Sequence, residues 1–109
     1  MTKPYLSVVV PAFNEEERIA STIDSLVGYL SKCSCRWELL VVNDGSTDST
    51  AQIVSEISSS DGRVRLIDAP HGGKGTAVRN GMMQAVGEWR FLCDADLSMP
   101  VDNLGRFFG

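Results

Sequence analysis

The chain has 109 residues, 43% of them hydrophobic and 22% charged, with 10 basic against 14 acidic side chains and a net charge of -4. This is the size and composition of one soluble globular domain, and the acidic balance argues against a nucleic-acid clamp, which needs a basic face. No apolar run approaches the ~20 residues that span a bilayer, and Pro11, Asn14 and the glutamates after it interrupt any apolar core of a signal peptide. Cys33 and Cys35 have no second pair to complete a zinc knuckle. They read as reduced thiols in a cytoplasmic protein.

Tyr5–Val10 is rich in β-branched residues and reads as a buried strand that Pro11 ends. Asn14 can cap the next helix, with Glu17 closing a capping box, and Glu15, Glu16 and Glu17 suit the positive end of a helix dipole. Ile19, Ile23, Leu26, Val27 and Leu30 then recur at helical spacing as one buried stripe. Trp37–Val42 is a second strand, and Asn43–Asp48 a polar turn around Gly45. A second helix starts near Ser46–Thr50 with Ile53, Val54 and Ile57 facing inward. Val64–Ile67 is a short third strand, and Asp68–Gly75 a glycine-rich loop. A third helix follows, with Ala77, Val78, Gly81, Met82 and Ala85 on one face, and Gly87 stands where a C-cap glycine belongs. Glu88–Cys93 is a fourth strand, with Cys93 packed in the sheet. Asp94–Pro100 is a loop, and Val101–Phe108 opens a fourth helix.

Strands alternating with helices through short loops imply an α/β fold with a Rossmann-like parallel sheet and right-handed crossovers. The near-continuous apolar strands imply helices on both faces. Ligands of such sheets bind at the carboxyl ends of the strands. The loops to read are therefore Pro11–Glu15, Asn43–Asp48, Asp68–Gly75 and Asp94–Ser98.

Asp94-Ala95-Asp96 offers two carboxylates at a strand end, hard ligands for Mg²⁺ or Mn²⁺ and the phosphates they bridge. The same residues can also be an N-cap cluster before Val101. In Asn43–Asp48, turn and cap chemistry accounts for Gly45, Ser46 and Thr47. It accounts less well for Asp44, which can accept hydrogen bonds from a base or ribose. Gly72-Gly73-Lys74-Gly75-Thr76 lets backbone approach a ligand, and Lys74 offers a charge to phosphate. It is neither a P-loop, since Asp68 and Gly75 break that pattern, nor a dinucleotide fingerprint, since Val78 takes the third glycine position. A flexible loop is the plainer reading. His71 reads as a solvated loop residue, and Arg79 either points to an anionic site or lies on the solvent face of its helix.

Together the four loops resemble those of the inverting family-two glycosyltransferases of the GT-A fold. The resemblance rests on Val8-Val9-Val10-Pro11-Ala12-Phe13-Asn14-Glu15-Glu16 and Val41-Val42-Asn43-Asp44-Gly45-Ser46-Thr47-Asp48. It continues in Gly73-Lys74-Gly75 with Arg79-Asn80-Gly81 and in Asp94-Ala95-Asp96, and covers nearly the whole chain. The run from Lys74 to Met82 into Asp94–Pro100 looks most like the polyprenyl- and dolichyl-phosphate glycosyltransferases, and among them the β-glucosyltransferase branch. The resemblance implies a sheet of order 3-2-1-4. It implies Pro11, Ala12, Phe13 and Glu15 lining the nucleotide pocket, and Asp44 bonding the base, uracil if the donor is UDP-glucose. Lys74 and Gly75 would lie along the ribose and diphosphate, Asp94 by the ribose and sugar, and Asp96 on a divalent metal, Mn²⁺ or Mg²⁺. Some relatives using GDP-mannose have Gln where this chain has the shorter Ser98. The implied reaction is inverting transfer of a sugar, glucose with UDP-glucose as donor, to a polyprenyl-phosphate-type acceptor.

Relatives run on well beyond Gly109, so residues 1–109 are expected to be the N-terminal nucleotide-sugar-binding part of such a domain, apparently truncated. The acceptor site and any catalytic base would lie in the remainder, at the cytoplasmic face of a membrane in a full-length form. Cut after its fourth strand, the sheet would expose an edge, and a homodimer through that edge or through Leu104, Phe107 and Phe108 is expected. Two other readings compete: a nucleotide- and metal-binding fragment without catalysis, and a phosphatase of the haloacid dehalogenase type. The latter places its Asp-x-Asp after the first strand, not the fourth.

Overall fold

The computed structural model describes residues 5–32 and 35–93. Strand β1 (Tyr5–Ala12), helix α1 (Ile19–Leu30), β2 (Arg36–Asp44), α2 (Thr50–Ser60), β3 (Val64–Ala69), α3 (Lys74–Gln84) and β4 (Trp89–Leu92) follow in order. The strands form one sheet of order β3-β2-β1-β4, parallel at every pairing. This is the α/β architecture and strand order expected from the sequence. The expected loop at Asp94–Pro100 and the fourth helix lie outside the described residues.

Strand alternation divides the core into two layers. Leu6, Val8, Val10 and Ala12 of β1, with Leu39 and Val41 of β2, pack against Ile19, Ile23, Leu26 and Leu30 of α1 and Val54 of α2. Val9, Leu40 and Val42 turn the other way, onto Ala77 of α3 and Ala85 at its end. Val8, Val9, Val10, Leu39, Leu40, Val41 and Val42 are all fully buried. Both sheet faces are covered, which is why these strands lack polar alternation.

Element ends differ from the sequence reading. Pro11 does not end β1: Pro11 pairs with Val42 and Ala12 with Asn43. Asn43 and Asp44 belong to β2, in register with Asp68 and Ala69 of β3. Asn14 does not cap α1. The helix begins after Arg18, with no side-chain cap, and Asn14 adopts φ 52° in the loop before it. Gly87 is not a C-cap glycine either. Ala85 caps α3 in an extended conformation, and Gly87 is needed for a close approach, since a Cβ there would lie 2.6 Å from Ser7 Oγ.

A polar network closes the amino end of the sheet. Glu38 is 3% exposed and accepts from Ser7 Oγ (2.6 Å), Arg65 Nη1 (3.0 Å) and the Val86 N–H (2.8 Å). The Gly87 N–H in turn donates to Ser7 Oγ at 2.8 Å. Burial pushes the Glu38 carboxyl up, but the Ser7 hydroxyl, the Val86 N–H and the Arg65 guanidinium together hold it below the ordinary glutamate value. The network ties β1, β2 and β3 to the segment entering β4.

Candidate nucleotide site at the carboxyl end of the sheet

The register sets the ends of β1, β2 and β3 side by side, with Ala12 beside Asn43 and Asn43 beside Asp68. The chain steps outward from β1 to β3 and then returns to add β4 on the other side of β1. The carboxyl ends of β1 and β4 therefore flank the switch point where such sheets bind ligands.

The loops after β1 and β2 are latched to each other. The Asn14 N–H donates to Ser46 Oγ at 2.9 Å, and Asn14 Oδ1 accepts from the Thr47 N–H at 2.9 Å. The Glu15 N–H donates to Thr50 Oγ1 at 2.9 Å. Asp48 accepts from the Glu16 N–H at 3.2 Å, and Glu16 accepts from the Ser49 N–H at 2.9 Å. Partial desolvation raises the Asp48 carboxyl, but bonds from the Thr50 hydroxyl, the Thr50 N–H and the Glu16 N–H lower it further, to a value below the ordinary aspartate one. Asn43 joins the third loop, donating from Nδ2 to Asp68 Oδ1 at 2.7 Å.

Asp44, the last residue of β2, is 4% exposed. Its Oδ1 accepts from the Gly72 N–H at 2.9 Å. His71 Nδ1 lies 3.0 Å from the Asp44 carbonyl oxygen and 3.3 Å from Asp44 Oδ2. The His71 ring stacks on Phe13, with centroids 4.6 Å apart and planes at 29°. Gly45 makes this approach possible. It has φ +68°, and a Cβ there would sit 2.7 Å from both Cβ and N of His71.

The expected site residues fall as follows. Pro11 and Ala12 are buried within β1, which ends at Ala12, and Phe13 follows just beyond it, 42% exposed. Glu15 spends its carboxylate on Arg18, at 2.7 Å. Asp44 stands where the base-binding reading needs an acceptor, and Lys74 and Gly75 open α3 directly after the loop that clasps it. Asp94 and Asp96 lie outside the described residues. Among the described residues no group of three or more His, Cys, Asp or Glu is placed to hold a metal ion. His71 is the solvated loop residue expected, its ring 59% exposed, but the structure adds contacts on two sides, with Asp44 and with Phe13. No local signal marks it, because both partners are distant in sequence. A carboxylate carries about four acceptor positions, so Asp44 keeps capacity for a donor on a ligand. Beside it stand a stacked pair of rings and a helix amino terminus, features suited to a flat base and to an anion.

The glycosyl transferase family 2 model matches residues 7–109. The chain is 39% identical over 105 residues to a dolichyl-phosphate beta-glucosyltransferase of Trichomonas vaginalis, a match covering 91% of this chain and 31% of that protein. It superposes with a TM-score of 0.75 and 27% identity on a mannosyltransferase of Pyrobaculum calidifontis in complex with GDP-Man and Mn²⁺, covering 95% of this chain and 31% of the other. A second structure, S. aureus TarS 1-349 in complex with UDP, gives a TM-score of 0.69 and 27% identity over 99% of this chain and 32% of the other. The fold is thus the α/β fold of the GT-A glycosyltransferases. The chain belongs to glycosyl transferase family 2, and it spans about a third of the length of the relatives it matches.

Proposed function

We propose that this chain is the nucleotide-sugar-binding part of an inverting glycosyltransferase that moves glucose from UDP-glucose to a polyprenyl-phosphate acceptor. The observation that carries the nucleotide reading is Asp44, a nearly buried carboxylate with unspent acceptor capacity at the ligand end of the sheet. The likeness to dolichyl-phosphate beta-glucosyltransferases supports the sugar and the acceptor, and the likeness to structures holding UDP and GDP-Man supports the nucleotide.

In this reading Asp44 accepts the N–H of the base, and Pro11, Ala12, Phe13 and Glu15 form the pocket wall. The backbone around Gly75, with Lys74, follows the ribose and diphosphate, and Asp94 lies near the sugar. Asp96, outside the described residues, would hold a divalent cation, Mn²⁺ or Mg²⁺, which would supply positive charge against the departing nucleoside diphosphate. A lipid phosphate is already anionic at neutral pH, so the acceptor needs little help from a general base. In the full-length form the enzyme works at the cytoplasmic face of a membrane. No described helix is long and apolar enough to cross one.

The second reading is that residues 1–109 bind nucleotide and metal without catalysing transfer. It is favoured by the chain spanning about a third of its relatives. A turnover assay with radiolabelled UDP-glucose and a polyprenyl phosphate separates the two. Transfer supports the first, and nucleotide binding without transfer supports the second. The edge strand β4 carries exposed Trp89 (55%) and Leu92 (44%), and open edges pair readily. A homodimer through this edge or through Leu104, Phe107 and Phe108, which lie outside the described residues, is the expected assembly. A compact monomer in sedimentation at high concentration would contradict it.

A further inference from the structure

We propose that His71 is a positioning residue for nucleotide recognition, holding the Asp44 carboxylate and the Phe13 ring in the geometry the base requires. The inference rests on the nucleotide reading above.

Both groups that Nδ1 of His71 meets, the Asp44 carbonyl at 3.0 Å and Asp44 Oδ2 at 3.3 Å, are acceptors. Nδ1 therefore carries a proton and donates. The Gly72 N–H holds the other carboxylate oxygen at 2.9 Å. Asp44 is thus held by two successive residues of the loop after β3, Gly72 on a carboxylate oxygen and His71 on the main-chain carbonyl, with the His71 ring within 3.3 Å of the other carboxylate oxygen. The grip fixes the carboxylate plane while leaving lone pairs for a ligand donor. The ring's second contact, its stack on Phe13, ties the first loop to the same point. A single side chain then sets two elements of the pocket at once, the acceptor and an aromatic wall. With Nδ1 spent on Asp44, the neutral ring presents Nε2 as an acceptor, and its 59% exposure leaves that ring accessible to a ligand. Among the described residues, the ionisable group the structure sets against the ring is Asp44. The neighbouring carboxylate, Asp68, is engaged by Asn43. Gly45 has the same explanation: any side chain there would displace His71 from this seat.

The chain has one histidine, so its ring nitrogens give unambiguous signals. Long-range ¹H–¹⁵N spectra of the protein without ligand should show Nδ1 protonated in the neutral ring. An Nε2-protonated ring would overturn the proposal whatever the nucleotide does. Calorimetry should then show UDP affinity reduced about tenfold in His71→Ala, the upper end expected for one lost hydrogen bond. His71→Asn, which keeps a donor near the Nδ1 position, should recover most of that loss, and His71→Phe, which keeps only the stack, should not. Equal affinity in all variants would overturn the proposal while leaving the nucleotide reading intact. A wild-type chain with the Nδ1–H ring that binds neither UDP nor GDP would overturn the nucleotide reading instead, leaving only the clasp on Asp44.

Discussion

The two ends of the sheet each hold a nearly buried carboxylate, Glu38 and Asp44, on the same strand and at 3% and 4% exposure. Their surroundings differ in kind. Glu38 is met by a hydroxyl, a guanidinium and a backbone N–H from three separate segments, so its capacity is spent within the protein. Asp44 is met by two neighbours in one loop, His71 and Gly72, and is the last residue of β2, at the end of the sheet where ligands of such folds bind. The contrast separates a carboxylate that holds the fold together from one that the fold holds for use.

Substitutions can break this contrast. Glu38→Ala should have the largest effect on the fold. It strands the Ser7 hydroxyl and the Val86 N–H, and urea unfolding should show a loss of about 2–3 kcal/mol, with UDP affinity little changed in the folded fraction. Asp44→Ala should do the reverse, weakening UDP binding by about tenfold to a hundredfold with or without metal while the unfolding midpoint moves little. An unchanged affinity would remove Asp44 from the base site. Gly45→Ala should affect both properties, because it forces an alanine to φ +68° at a cost of about 1–2 kcal/mol and pushes His71 from its seat.

The smallest effect is on pH dependence. Glu38 is held below its ordinary value in the folded state, so its contribution is present above the value it has when unfolded. It is lost as pH falls through the folded value. Glu38→Gln should therefore flatten the acid side of the stability profile measured by denaturant titration, and an unchanged slope would contradict the network's role.

The strands were legible because both sheet faces are covered, which leaves unbroken runs such as Val8–Val10 and Leu39–Val42, whereas their order was implied only by the resemblance of the loops to a known family. The strand ends were not legible. Pro11, Asn43 and Asp44 look like turn residues, yet neighbouring strands hold them extended, and pairing across a sheet leaves no mark in local sequence. The capping box at Asn14 failed for a related reason. Its carboxamide is taken by Thr47, 33 residues away, and a long-range partner outcompetes the local cap. Asp44 could be singled out because turn chemistry did not need it. His71 could not, because what makes it special is Asp44, 27 residues distant.

Calorimetric titration of UDP and GDP into this chain, once with Mn²⁺ and once with chelator, tests the nucleotide site most directly. UDP binding that strengthens with Mn²⁺ and exceeds GDP binding is the predicted result. Binding of neither nucleotide under either condition would contradict the claim that the carboxyl end of this sheet is a nucleotide site.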